Sequence, residues 1–233
     1  RDQPRSRGLG DVYKRQWRNS VVLLMSLCGC LACTDDQEAS VIQKGPQQVR
    51  FFMTIALPES NTRTETNAYM STKFIKGDSV GVFVYQRAED GTDGEIWLSN
   101  VKYTYDGSRW IPEAGGEIVI DENDALNYYA YYPYNEQVKD YKRVPFQPYA
   151  EQNVAMNYNC SDFLRTKNNK MAKGANSVQL HFEHAFTLIQ LNLNGTEAID
   201  PNTAVTLCGM KTQVMVDLTS DEVTTVEGEA VDI

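Results

Sequence analysis

In several short segments between residues 49 and 193, apolar side chains return at every second position. In VRFFMTIA, Val49, Phe51, Met53 and Ile55 share one parity, with Arg50, Phe52 and Thr54 on the other. SVGVFVYQ sets Val80, Val82 and Val84 against Gly81, Phe83 and Tyr85. NVKYTYDGSRWIP carries Val101, Tyr103 and Tyr105 into Asp106-Gly107, a pair suited to the positive φ angles of a two-residue hairpin turn, and resumes at Trp110. EIVID and LNYYAYYPY follow, the second stopped by Pro133. Such period-two segments, parted by Gly, Asp and Asn, with almost no helical 3.6 period, predict an all-β sandwich. In the aromatic segment Tyr128 and Tyr132 share parity with Leu126 and Ala130, while Tyr129 and Tyr131 face the other way. One row must be core, which leaves the other free to bind.

SVQLHFEHAFTLIQLNLNG is the longest alternating run. Val178, Leu180, Phe182, His184, Phe186 and Leu188 hold one parity, then Ile189, Leu191 and Leu193 take the other. That slip predicts a β-bulge or bend at Leu188-Ile189, with both side chains in the core. It places His184 in the inward row as a hydrogen-bonded core residue. His181, three positions away, points to the opposite face, so the pair cannot share a metal.

Upstream the pattern changes. Lys14, Arg15 and Arg18 precede an apolar run from Val21 to Ala32. The run is too short for a bilayer, which takes ~20 residues, and has the layout of a signal peptide. It ends in Leu31-Ala32-Cys33 followed by Thr34-Asp35-Asp36, which resembles a bacterial lipobox with an acidic export signal behind it. Cys33 is the favoured lipidation site and Cys30 the alternative, within the rival Leu27-Cys28-Gly29-Cys30. The C-x-x-C spelling of Cys30 and Cys33 lacks the further ligands a zinc site needs. Residues 1–16 resemble translated adapter sequence and are set aside. The expected organisation is then a partial signal peptide over 17–32, a flexible tether over 33–48, a β-sandwich over 49–203, and 204–233 as its last strands or the start of a truncated C-terminal domain.

Residues 1–32 hold six of the 22 Lys/Arg and two of the 31 Asp/Glu, so the net charge of −9 becomes about −13 from Cys33 onward. That surface repels phosphate backbones and excludes nucleic acid as a partner. GDSVG, residues 77–81, spells the nucleophile elbow of α/β-hydrolases, but that mechanism needs a helix after the Ser and β-prone VGVFVYQ follows instead. EDGTDGE lacks calcium-loop spacing and reads as a solvated hairpin. No catalytic residue, metal site or cofactor is expected. Cys160 and Cys208 are left open as a disulfide or two thiols.

Five pieces in order carry a resemblance: Thr62-Arg63; Gly77 to Phe83; the aromatic Tyr129 to Tyr134; Ser161 to Leu164; and Phe182 to Ala185. Behind a lipobox, they resemble the N-terminal half of the fimbrillin family, lipoprotein precursors that polymerise into Bacteroidales-type fimbriae. The resemblance implies a transthyretin-like Greek-key sandwich, followed in the family by a second. This chain stops at EGEAVDI, as expected of a truncated gene. It also implies a structural subunit, stalk, tip or anchor, on the outer membrane surface. Such a subunit polymerises with like or unlike subunits and contacts a host or bacterial surface. Assembly in the family involves cleavage at an Arg, here Arg63 or Arg50, loss of the first strand, and its replacement by a neighbour's segment. Phe51, Met53 and Ile55 are then the strand-exchange residues. The alternative is a surface lipoprotein that binds glycans on a platform formed by Tyr129 and Tyr131, since flat rings suit sugar faces.

Overall fold

The computed structural model describes residues 45–56, 73–166, 169–189, 191, 195, 200 and 203–233. Cys30, Cys33 and Arg63 lie outside these residues. The described chain is almost wholly β: β1 (Gln47–Gln48), β2 (Arg50–Ile55), β3 (Ser79–Arg87), β4 (Asp93–Tyr105), β5 (Trp110–Pro112), β6 (Val119–Ile120), β7 (Leu126–Tyr132), β8 (Val144–Phe146), β9 (Leu164–Arg165), β10 (Asn169–Lys170), β11 (Ser177–His184), β12 (Val214–Val216) and β13 (Val223–Thr225). One short helix, α1 (Ala155–Cys160), interrupts them and buries none of its residues.

The main sheet runs β2-β11-β9-β7-β3-β4-β5, with β10 also on β7. Its neighbours in space are mostly distant in sequence, and all its pairings are antiparallel except β2 with β11. A three-stranded sheet, β13-β12-β8, lies on one face, and β1 pairs with β6. The central strands therefore have an apolar layer on each side. Val80, Val82 and Val84 join Tyr128, Ala130, Val178, Leu180 and Phe182 in the first layer. Phe83, Tyr129 and Tyr131 meet Val144, Val214, Val216 and Leu218 in the second. The all-β sandwich predicted by alternation is thus present, and residues 214–218 complete its second layer.

Three local expectations are corrected. The Asp106-Gly107 hairpin forms, but Tyr105 pairs with Trp110 across a four-residue loop, in which Asp106 Oδ1 accepts from the Ser108 and Arg109 N–H groups and Gly107 takes φ +101°. The carboxylate ties the loop into an Asx turn. β11 stops at His184 rather than bending at Leu188-Ile189. Val178, Leu180 and Phe182 are fully buried as alternation requires, yet Leu188 and Ile189 are both more than half exposed. Pairing ends where the Ala185 N–H turns to the Phe163 carbonyl. Finally, both tyrosine rows of β7 are core.

Candidate assembly interface

The N-terminal segment is held by two different edges. Gln47 and Gln48 pair antiparallel with β6, and the Val49 N–H donates to Ile118 O (2.8 Å). From Arg50 the strand crosses to β11 and runs parallel to it in register from Arg50↔Ser177 to Ile55↔Phe182. Arg50 N–H donates to Asn176 O (2.8 Å), and Ala56 N–H to Phe182 O (2.7 Å). Alternation decides what enters the core. Val49 and Phe51 are buried, and Met53 and Ile55 pack partly buried on the same cluster. The Phe51 ring meets Tyr103 and Tyr128 edge-on, at 5.0 and 5.7 Å between centroids. Arg50, Phe52 and Thr54 point outward, and Thr54 Oγ1 hydrogen-bonds His181 Nδ1 (2.8 Å).

The inward row is therefore Phe51, Met53 and Ile55, and the Arg50 side chain is exposed on a backbone engaged within the sheet. Alternation alone showed which side chains face inward. It did not show that the partners are β6 and β11, because pairing between segments about 70 and 127 residues apart leaves no local trace.

Tyr129 and Tyr131, expected as an open glycan platform, are 2% and 0% exposed. The second apolar layer covers their row, so no flat ring face is presented there. Their hydroxyls are built into the interior. Asp93 gathers three donors: Tyr129 OH (2.9 Å), Tyr141 OH (2.8 Å) and Asn127 Nδ2 (2.7 Å). Burial, and then the hydrogen bond to Asp93, push both phenols above the ordinary tyrosine range. Sequence reading placed Asp93 in a solvated hairpin. The available signal was the tyrosine row itself, whose buried hydroxyls required an acceptor.

Tyr131 belongs to a second network. A register shift in β4 opposite Phe83 puts Asn100 at φ +49°, an angle Asn tolerates better than most residues. Asn100 Oδ1 accepts from Tyr131 OH (2.9 Å), and its Nδ2 donates to the carbonyls of Asn135 (2.9 Å) and Val138 (3.0 Å). Asn135 N–H returns to Tyr131 OH (3.2 Å). Gly81 lies beneath this ring of bonds, where a Cβ would run into the Tyr131 ring. The 133–138 loop is thus fixed from inside the protein.

The remaining candidates are structural. Ser79 opens β3 after a turn, and its hydroxyl bonds Thr104 Oγ1 (2.9 Å), so the elbow geometry of a hydrolase does not form around it. His184 Nδ1 bonds Asp162 Oδ1 (2.8 Å), and that bond raises its pKa against the opposing effect of burial. Cys160 and Cys208 are free thiols.

Comparison with known proteins gives this architecture its relatives. The family model described as Fimbrillin-like matches residues 62–233. The chain belongs to the fimbrillin-like family. One relative of this fimbrillin-like chain, from Bacteroides ovatus and named fimbrium tip subunit Fim1C, is 35% identical over 83 residues. The match spans 34% of this chain and only 14% of that protein. Among solved structures, a protein from Bacteroides uniformis described as a cell adhesion protein superimposes with a TM-score of 0.50 at 21% identity, over 69% of this chain and 64% of its own. Another so described, from Bacteroides ovatus, gives 0.54 at 14% identity, over 82% and 71%. At those identities the likeness establishes the fold.

Proposed function

We propose that this chain is a structural subunit of a cell-surface fimbria, joined to other subunits by strand replacement at the position of Gln47–Ala56. The observation that carries the reading is the seat of that segment. Gln47 and Gln48 pair with β6 and Arg50 to Ile55 with β11, two strands that do not pair with each other, and one apolar row of the segment enters the core. Remove it, and two unpaired edges remain in succession, a short one on β6 and a longer one on β11, beside the pockets of its apolar row, which an extended segment fills by main-chain bonding with side chains in alternate pockets. Family membership and a relative named for a fimbrium tip support the assignment to fimbriae.

Two arginines, Arg50 and Arg63, bracket the strand, and the pairing of Arg50 with β11 argues against the first of them. Arg50 sits within a hydrogen-bonded strand, where its peptide bond can enter a protease only after the strand has left. Arg63 is the maturation site in this reading: cleavage there cuts the covalent tie and leaves the strand held by non-covalent contacts alone. Lipid attachment at Cys33, with Cys30 as alternative, holds the precursor at the outer membrane surface before that step. The role is structural, with no catalysis, and it suits a stalk, tip or anchor subunit.

The test replaces residues 59–65 of the full chain with a specific protease recognition sequence, cuts it, and adds a fluorescent VRFFMTIA peptide. Uptake of the peptide with release of the original strand is expected, and a scrambled peptide with its apolar residues off alternate positions should stay free. A nicked chain that keeps its own strand and takes up no peptide, even in mild denaturant, would refute strand replacement.

A further inference from the structure

We infer that a cleft between β4, the loop after β7 and the segment after β8 is a binding site for a neutral saccharide. It is an open surface cleft of about 560 Å³, lined by Phe163, Lys102, Tyr134, Glu136, Gln147 and Tyr149 among others. That is room for one or two sugar rings at the scale of small-molecule sites.

The tyrosines of β7 are sealed in the core, but at this cleft the Tyr149 ring is open and Tyr134 carries Lys102 over one of its faces. Tyr149 is 48% exposed and Tyr134 is half-buried. Both are held by their backbones. Tyr149 N–H donates to Ser161 Oγ (2.9 Å), its carbonyl accepts from Gln152 Nε2 (3.2 Å), and Tyr134 N–H donates to Ser79 O (3.0 Å). The loop carrying Tyr134 and Glu136 is also bolted to the interior by the bonds among Asn100, Tyr131 and Asn135. With the backbone under each ring already fixed, a ligand that stacks there has the side chain alone left to order.

The polar groups complete the match. The Glu136 carboxylate and the Gln147 amide stand exposed at the rim, and the Lys102 ammonium rests over the Tyr134 ring at 5.5 Å. The cleft thus offers an acceptor, an amide that both donates and accepts, and a cationic donor beside flat apolar faces. A sugar presents the complement, hydroxyls around its edge and a C–H face above and below. One positive and one negative side chain leave no net preference for a charged ligand. An apolar peptide would bury all three polar groups without partners. The site uses none of the residues of the N-terminal strand, so it stands apart from the assembly reading.

The experiment is saturation-transfer difference NMR on the full chain with lactose, cellobiose, maltose and N-acetyllactosamine, each at about 10 mM, in the range where weak sugar sites fill. Transfer to the ring C–H protons of at least one sugar is expected. Tyr149→Ala should weaken that binding about tenfold, the equivalent of one aromatic contact, while Tyr149→Phe keeps it. Gln147→Ala should weaken it without changing the thermal melt. Absence of transfer from every sugar would overturn the proposal, and so would transfer that survives both Tyr149→Ala and Gln147→Ala.

Discussion

Replacing Phe51 with Ala tests whether the N-terminal strand is held chiefly by its inward row. Phe51 is 6% exposed and meets Tyr103 and Tyr128 edge-on, at 5.0 and 5.7 Å. Truncating a buried Phe costs ~3 to 5 kcal/mol, of which each aromatic contact supplies ~0.5 to 1.5. Phe51 lies on the terminal strand of the main sheet, where the surroundings can relax into the space. The lower half of the range, ~3 to 4 kcal/mol, is therefore expected. For a chain of this size that lowers the melting temperature by about 10 °C. Phe52→Ala supplies the control: its ring is 56% exposed on the outward row, and a change there falls within ~0.5 kcal/mol. Urea unfolding of both variants, followed by tryptophan fluorescence, measures the two effects. Equal destabilisation would refute the row assignment. A small effect at Phe51 would show that backbone pairing, rather than the side-chain row, holds the strand.

Further outcomes follow from the same contacts. Asp93→Ala removes the acceptor of two phenols and an amide and should cost about 3 kcal/mol or more in urea, with Asp93→Asn losing less because one oxygen remains. The Tyr85 phenol is pushed up to about 12, first by burial and then by Asp140 and Asp93. Because its folded value is raised, its contribution is complete below about pH 10 and fades as pH climbs through 12, which an ultraviolet phenol titration run beside an unfolding curve should show. The folded pKa of His184 is also raised, by its bond to Asp162, so that pair contributes most below about pH 6.5 and loses its effect as pH rises through the folded value. Asp162→Asn should flatten that stretch of the stability-pH curve. Radiolabelled palmitate should mark the chain in cells, with the label lost in Cys33→Ala and kept in Cys30→Ala; the reverse would move the lipid to Cys30.

Parity along single segments was legible. It placed Phe51, Met53 and Ile55 inward on β2, and Val178, Leu180 and Phe182 inward on β11. What parity could not reveal was a second cover. Tyr129 and Tyr131 looked free because the residues that bury them, among them Val214 and Val216, lie some 80 positions downstream on a three-residue strand too short to signal its partner. The end of β11 was hidden for a related reason. Thr187 to Ile189 keeps an apolar rhythm suited to a strand, but among the described residues the partner hydrogen bonds run out at Ala185, and propensity without a partner makes no sheet. α1 gave no periodic signal because it has no buried face to create one. Exposed rings lie off β7, at residues such as Tyr149, three positions after β8.

The parallel pairing of β2 with β11 also fixes an order of events in time. Thr54 and His181, which touch through a side-chain bond, are 127 positions apart in the chain. On a ribosome, or on emerging from a translocation pore, the first strand appears long before its wall exists. It must remain unpaired until β11 has followed. Contacts of such sequence separation are slow to close, so the sandwich should form by late capture of its own leading segment. A sheet whose edge strand β2 closes last keeps an open edge on β11 until then, and a segment from another molecule that reaches that edge during the interval competes with a strand favoured by its tether.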